Sequence, residues 1–255
     1  MARTKDLLPK KKAAILAPRA IVDVGPFEFY QMAPPGIMLT IVPLGIQRFT
    51  KEGVEEAYGP IDEQLKHLVE RRVDIILQEG VPLQCLIGTE AHDKRLAYLH
   101  DKTGLPVSSG VLGGVEAAQH LGIKKIAFGN KFSDAENEGL SRFFTRAGIE
   151  VTGYYSWGEH QEEKDVTGNA VKRIKETDLV EIGFEVGRRV FRDNPDCDGI
   201  YMPGGSWALN KVVVELEKEF GKPVLGHRHT SVWHIVKMLG MWKPKKGWGM
   251  LFAAP

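Results

Sequence analysis

Two stretches, Asp74-Ile-Ile-Leu-Gln-Glu-Gly80 and Asp198-Gly-Ile-Tyr-Met-Pro-Gly204, decide how this chain folds. Each opens with aspartate, runs through apolar residues and closes on glycine, the pattern of a buried parallel strand ending in a turn. Downstream, Gly104-Leu-Pro-Val107 leads into a helix that ends at Leu121-Gly122, and Gly221-Lys-Pro-Val224 into one that ends at Leu239-Gly240. The two spans differ in length by one residue. All αβ units share some of this punctuation, because glycine ends helices. The matched order of strand, glycine turn, helix, G-x-P-V and helix points to a duplicated unit.

The same alternation extends along the chain. Strands are expected at 13–17, 37–43, 73–78, 105–108, 125–129, 150–155, 199–202 and 223–226, and helices at 60–72, 90–103, 111–121, 134–147, 178–194, 207–220 and 231–239. Ser133 with Glu136 fits a capping box at the start of its helix. Strand–helix alternation at this spacing predicts an α/β protein with two lobes, mainly parallel sheets and a ligand cleft between them. The expected division is 12–110 plus 231–255 for the first lobe and 111–230 for the second, after a flexible tail at 1–11.

Composition narrows the function. The 255 residues carry 34 basic and 33 acidic side chains, a net charge of +1, so no basic face for nucleic acid is expected. Lys10, Lys11 and Lys12 read as a solvated lead-in. No apolar run approaches a membrane span, and the charged start is unlike a signal peptide. Two cysteines, Cys85 and Cys197, are too few for a disulfide framework, so reduced thiols and a cytoplasmic setting are expected. Trp242, Trp248 and Phe252 suggest apolar surface that docks on a lobe or on a second subunit of a homo-oligomer.

The segment Asp198-Gly-Ile-Tyr-Met-Pro-Gly-Gly205, with its helix and Gly221-Lys-Pro-Val224, resembles the second catalytic loop of the aspartate/glutamate racemase superfamily. The likeness runs from about Ala13 to Gly240 and is nearest to the arylmalonate decarboxylase and maleate cis-trans isomerase branch. It implies two flavodoxin-like lobes related by a pseudo-twofold axis, no metal or organic cofactor, and a small substrate that bears a carboxylate. It also implies cysteine chemistry, with a thiol facing the substrate's α-carbon. Here the chain departs from the pattern. The first cysteine position falls on Gly80, as in the decarboxylase, and the second on Gly204, where a cysteine is expected. The decarboxylase's small hydroxyl residues become Val81 and Pro82, and its tyrosine becomes Phe132. Backbone N–H donors remain at Gly80, Val81 and Gly205, whereas Pro82 has none.

Other groups must then do the work of the thiols. His227 and His229 follow the last strand of the second lobe, where the first-lobe copy has Ser108 and Ser109. Read as i and i+2 on a strand end, they point the same way, beside a Gly204 turn that leaves room for substrate or water. They are the expected proton carriers, with Glu79 as a further acid or base; the plain alternatives are a structural histidine pair and a solvated strand-end charge. Asn130 is a candidate donor to a substrate carboxylate or a turn residue, and Arg19 a carboxylate partner or a loop charge. Ser206 is a substrate contact or a helix cap. A decarboxylase-like lyase is the leading expectation. The alternatives are a cis-trans isomerase or hydratase, a non-catalytic small-acid binder, and a metal-dependent hydrolase built on His227 and His229 with Glu79 or His234.

Overall fold

The computed structural model describes residues 8–19, 24–46, 50–58, 61–157, 176–204, 207 and 209–255. In the first half β1 (Lys11–Ala17), α1 (Gly25–Met32), β2 (Ile37–Pro43), α2 (Lys51–Tyr58), α3 (Ile61–Glu70), β3 (Ile75–Gln78), α4 (Val81–Thr103), β4 (Val107–Ser109) and α5 (Gly110–His120) follow in order. The second half comprises β5 (Lys125–Asn130), α6 (Asp134–Arg146), β6 (Glu150–Ser156), α7 (Glu176–Asp193), β7 (Gly199–Met202), α8 (Asn210–Phe220), β8 (Val224–Gly226), α9 (His227–Met238) and α10 (Met250–Ala253). Two four-stranded sheets result, ordered β2-β1-β3-β4 and β6-β5-β7-β8, and every neighbouring pair is parallel. The two sheets therefore share one topology. Ala13, Ala14, Leu16, Ile76 and Leu77 are fully or almost fully buried, as are Ala127, Phe128, Ile200 and Tyr201 in the other sheet. Continuous apolar runs are what a sheet covered on both faces requires.

The duplication reaches individual atoms. Asp74 accepts hydrogen bonds from the Lys12 backbone N–H (2.7 Å) and the Lys11 ammonium (2.9 Å), tying the start of β3 to β1. Asp198 accepts from the N–H groups of Lys124 and Lys125, both at 2.8 Å, tying the start of β7 to β5. Lys11 and Lys12 thus belong to the first strand and are not lead-in. Of the expected tail, residues 1–7 lie outside the described residues.

The duplicated helices α5 and α9 pack on each other at the seam between the lobes, and α1 lies against α9. Close approach is possible because a Cβ at Gly113 would stand 3.2 Å from His234 on α9, and Gly114 likewise lets α5 close on the Tyr201 ring of β7, 2.8 Å from a Cβ there. Helix α4 is broken at Gly88 (φ 81°, ψ 168°), so only its later part has the length that a sequence pattern reveals. The Ser133–Glu136 capping box is present in α6. Trp242, Trp248 and Phe252 join the core that includes Trp233 on α9, so the C-terminal segment docks on its own chain. Among the described residues, no helix is long and apolar enough to cross a membrane.

Candidate active site

Ligands of open α/β sheets sit beyond the carboxyl ends of the strands. There β3 passes through Glu79 to Gly80 (φ 97°), and β7 passes through Pro203 to Gly204 (φ 104°). Both glycines occupy the left-handed region that other residues resist. Each turn leads into a helix, α4 or α8, with no side-chain cap on its first N–H groups, the polarity that attracts a small anion. Val81, the first residue of α4, is fully buried. Gly205 and Ser206 lie outside the described residues.

The surroundings of Gly204 differ from the expected open space. A Cβ there would lie 3.3 Å from the indole nitrogen of Trp207 and 3.6 Å from the Phe132 ring. The place where the resemblance implies a cysteine side chain is therefore faced by an indole N–H and a phenyl ring.

The histidines also differ from expectation, for a geometric reason. Strand β8 stops at Gly226, and His227 is already the first residue of α9. Positions i and i+2 on a helix lie about 200° apart around its axis, so the two imidazoles diverge. His227 turns to the first lobe, where its Nε2 lies 2.9 Å from Oε2 of Glu79. The neighbouring Arg228 joins the same cluster: Nη1 is 3.8 Å from Glu79 Oε1, and Nε is 3.4 Å from Glu28 Oε2 on α1. A Cβ at Gly110 would sit 3.0 Å from Glu79 Oε2 and 3.5 Å from His227 Cε1, so only glycine leaves space for this approach. Glu79 and His227 are 6% and 4% exposed, so the pair is buried beside the Gly80 turn. Burial by itself would raise the Glu79 carboxyl, but His227, Arg228 and Ser231 beside it outweigh that effect and hold it well below the usual range.

His229 turns away from this cluster. It packs against Trp248 and Phe252, and neither ring nitrogen has a hydrogen-bond partner. Burial pushes its imidazole down to about 4, so at neutral pH it is uncharged. The expected pairing of His227 with His229 is replaced by a pairing of His227 with Glu79 from the other lobe. His234, named from sequence as a possible metal ligand, is hydrogen-bonded instead, with Nε2 2.6 Å from the Ser108 hydroxyl. Ser109 caps α5 and lies 2.8 Å from His92 Nε2. Among the described residues, no group of three or more His, Cys, Asp or Glu side chains is arranged to hold a metal ion.

Asn130 ends β5, but its amide is occupied. Nδ2 donates to Asn137 (2.7 Å) and Oδ1 accepts from the Phe132 N–H (2.9 Å), so it fixes the turn that carries Lys131 and Phe132. Arg19 follows β1 at the same end of the sheet and is exposed. Cys85 is buried within α4, where burial and then Glu136 push its thiol well above the ordinary value. Cys197 precedes β7, at the end of the strand opposite Gly204, and its thiol is also raised, mainly by burial. Neither sulfur is activated. Sequence reading missed Glu28, Arg228 and Trp207. Arg228 was visible between two histidines, whereas Glu28 sits in a short helix without an N-cap signal.

Comparison with known proteins matches this architecture throughout. The sequence model of the arylmalonate decarboxylase family fits residues 14–252. Arylmalonate decarboxylase of Bordetella bronchiseptica is 27% identical over 214 residues, covering 82% of this chain and 83% of that protein. Among solved structures, a liganded double variant of arylmalonate decarboxylase superposes with a TM-score of 0.80 at 20% identity, over 95% of this chain and 99% of that one. Maleate isomerase from Pseudomonas putida S16, solved with maleate, gives 0.75 at 16% identity over 96% and 98%. At these identities the structural matches establish the fold, and the family match extends over nearly the whole sequence. The chain belongs to the arylmalonate decarboxylase family and is, like the relatives it matches, an enzyme.

Proposed function

We propose that this protein is a cofactor-independent decarboxylase of a small carboxylic acid, in which the Glu79–His227 pair handles the proton. The observation that carries the proposal is the 2.9 Å approach of His227 Nε2 to Glu79 Oε2 beside the Gly80 turn. Substrate carboxylate oxygens would face the uncapped N-termini of α4 and α8, which stabilise negative charge. When the bond to the departing carboxylate breaks, CO2 leaves and its electron pair passes into an enediolate on the remaining carboxylate. His227 then gives the α-carbon a proton from Nδ1, the ring nitrogen that does not face Glu79 and has no hydrogen-bond partner within the protein, and solvent restores that proton. Glu79, held ionised, faces Nε2 and keeps the ring oriented toward the first lobe. The same elements would serve a cis-trans isomerase, which moves no carbon. A cytoplasmic setting suits the two unpaired thiols.

Turnover of phenylmalonate and of maleate by the wild-type protein distinguishes the two chemistries. His227→Gln should lower turnover about 10²–10⁴-fold, the usual range for a general acid. Both partners are buried, so the single variant should also lose about 3–5 kcal/mol of stability. The Glu79→Gln/His227→Gln double variant removes both members of the pair, and its inactivity would then reflect chemistry. Wild-type turnover in that folded double variant would refute the assignment.

A further inference from the structure

We propose that the indole N–H of Trp207 is a fixed hydrogen-bond donor to a carboxylate oxygen of the substrate, and that Lys131 supplies the positive charge for the same subsite. Trp207 is 2% exposed, yet its Nε1 has no hydrogen-bond partner. A buried donor left unpaired costs about 1–3 kcal/mol, so one retained at the ligand end of a sheet calls for a partner outside the protein. Its position is at the Gly204 turn. The nitrogen would lie 3.3 Å from a Cβ at Gly204, so the missing side chain leaves it beside the backbone of the turn.

Three further features converge there. The Lys131 ammonium stands 5.0 Å from the centroid of the Trp207 ring, and the Asn130–Asn137 hydrogen bond fixes the turn that carries it. Helix α8 begins at Asn210, and its N-cap, Leu209, has no oxygen to offer the first N–H groups. The Phe132 ring, 3.6 Å from the same Cβ position, closes one side with apolar surface. A directional neutral donor, a cation and a helix N-terminus suit an acceptor-only group with one negative charge. A carboxylate on a small apolar body meets that description. An indole N–H donates hydrogen bonds without giving up its proton near neutrality, so Trp207 would hold the acid while His227 carries the proton.

The inference rests on the small-acid reading above, and the experiment keeps the two apart. In 15N-labelled protein the five tryptophans give five indole N–H signals, and Trp207→Phe identifies the one from Trp207. On titration with sodium malonate or sodium phenylacetate, the Trp207 signal should move downfield and saturate. Trp207→Phe and Lys131→Met should each weaken binding about tenfold, the smaller end of what one charge-assisted hydrogen bond contributes. Inorganic phosphate serves as a comparison anion, and its binding more tightly than either carboxylate would overturn the assignment to a carboxylate. A Trp207 signal that stays still while a carboxylate binds, or a Kd within twofold of wild type in Trp207→Phe, would overturn the proposal and leave the Glu79–His227 chemistry standing. Failure of the wild-type protein to bind either carboxylate would overturn the small-acid reading, and this proposal with it. If Trp207→Phe does not fold, Phe variants of the other four tryptophans identify the signal by elimination, and Lys131→Met supplies the affinity test.

Discussion

Replacing His229 with leucine separates the two histidines that the sequence placed together. The ring is 1% exposed, with both nitrogens unpaired beside Trp248 and Phe252, so its charged form is strongly disfavoured in the folded protein. Its folded value near 4 lies below the ordinary 6.5, so between those limits the unfolded chain binds more protons. Stability from this site is therefore fully present above about pH 6.5 and is lost as pH falls toward 4. At 1.36 kcal/mol per unit, the loss is about 3 kcal/mol. Glu217 works in the opposite direction. Burial raises it to about 7 against the hydrogen bonds from the Val224 and Met250 N–H groups, so its contribution declines as pH rises from 4.5 to about 7. Two opposed slopes flatten the wild-type profile across this window. His229→Leu should match wild type at pH 7.5 and gain on it by about 3 kcal/mol by pH 4, measured by urea unfolding followed by circular dichroism. Glu217 is present in both proteins and cancels in the difference. A difference that does not vary with pH would show that His229 is charged or partnered. Turnover at neutral pH should stay within about tenfold, because the ring does not reach Glu79.

The sequence carried the sheets well because buried parallel strands write themselves as short apolar runs between turn residues. All eight strands lie where those runs do, and strand bounds at 37–43 and 199–202 are identical. Helices α1 and α2 escaped because each has only eight residues, too few turns for a periodic stripe to stand out. The two glycine turns of the candidate site were legible, since Gly80 and Gly204 follow directly from the repeat. Its side-chain directions were not. Strand β8 ends at Gly226 as expected, but α9 begins at His227, four residues before the expected start at 231, which put both histidines on a helix and turned His229 away from His227. The partners of His227 come from residues far apart in the chain, Glu79 beside it and Glu28 through Arg228, which no local pattern connects.

Gly139→Ala should destabilise the fold by about 1–3 kcal/mol in urea titrations, because the new Cβ would meet the Cys85 carbonyl oxygen at the contact between α4 and α6. An unchanged midpoint would mean that these helices separate more easily than their packing implies. The remaining prediction concerns the thiols themselves. Cys85→Ala/Cys197→Ala should keep turnover within about tenfold, or roughly 1.4 kcal/mol of transition-state stabilisation. Catalytic thiols need a lowered pKa, access to the substrate and a place at the ligand end of the sheet. Cys85 is buried with its thiol pushed well up, and a neighbouring Glu136 raises it further. Cys197 stands before β7 rather than after it, so the strand carries the chain from it to Gly204, on the order of 20 Å if extended. A folded double variant that lost more than about a thousandfold would require a rearrangement that exposes Cys85, and the proton would then have to be reassigned from His227 to sulfur.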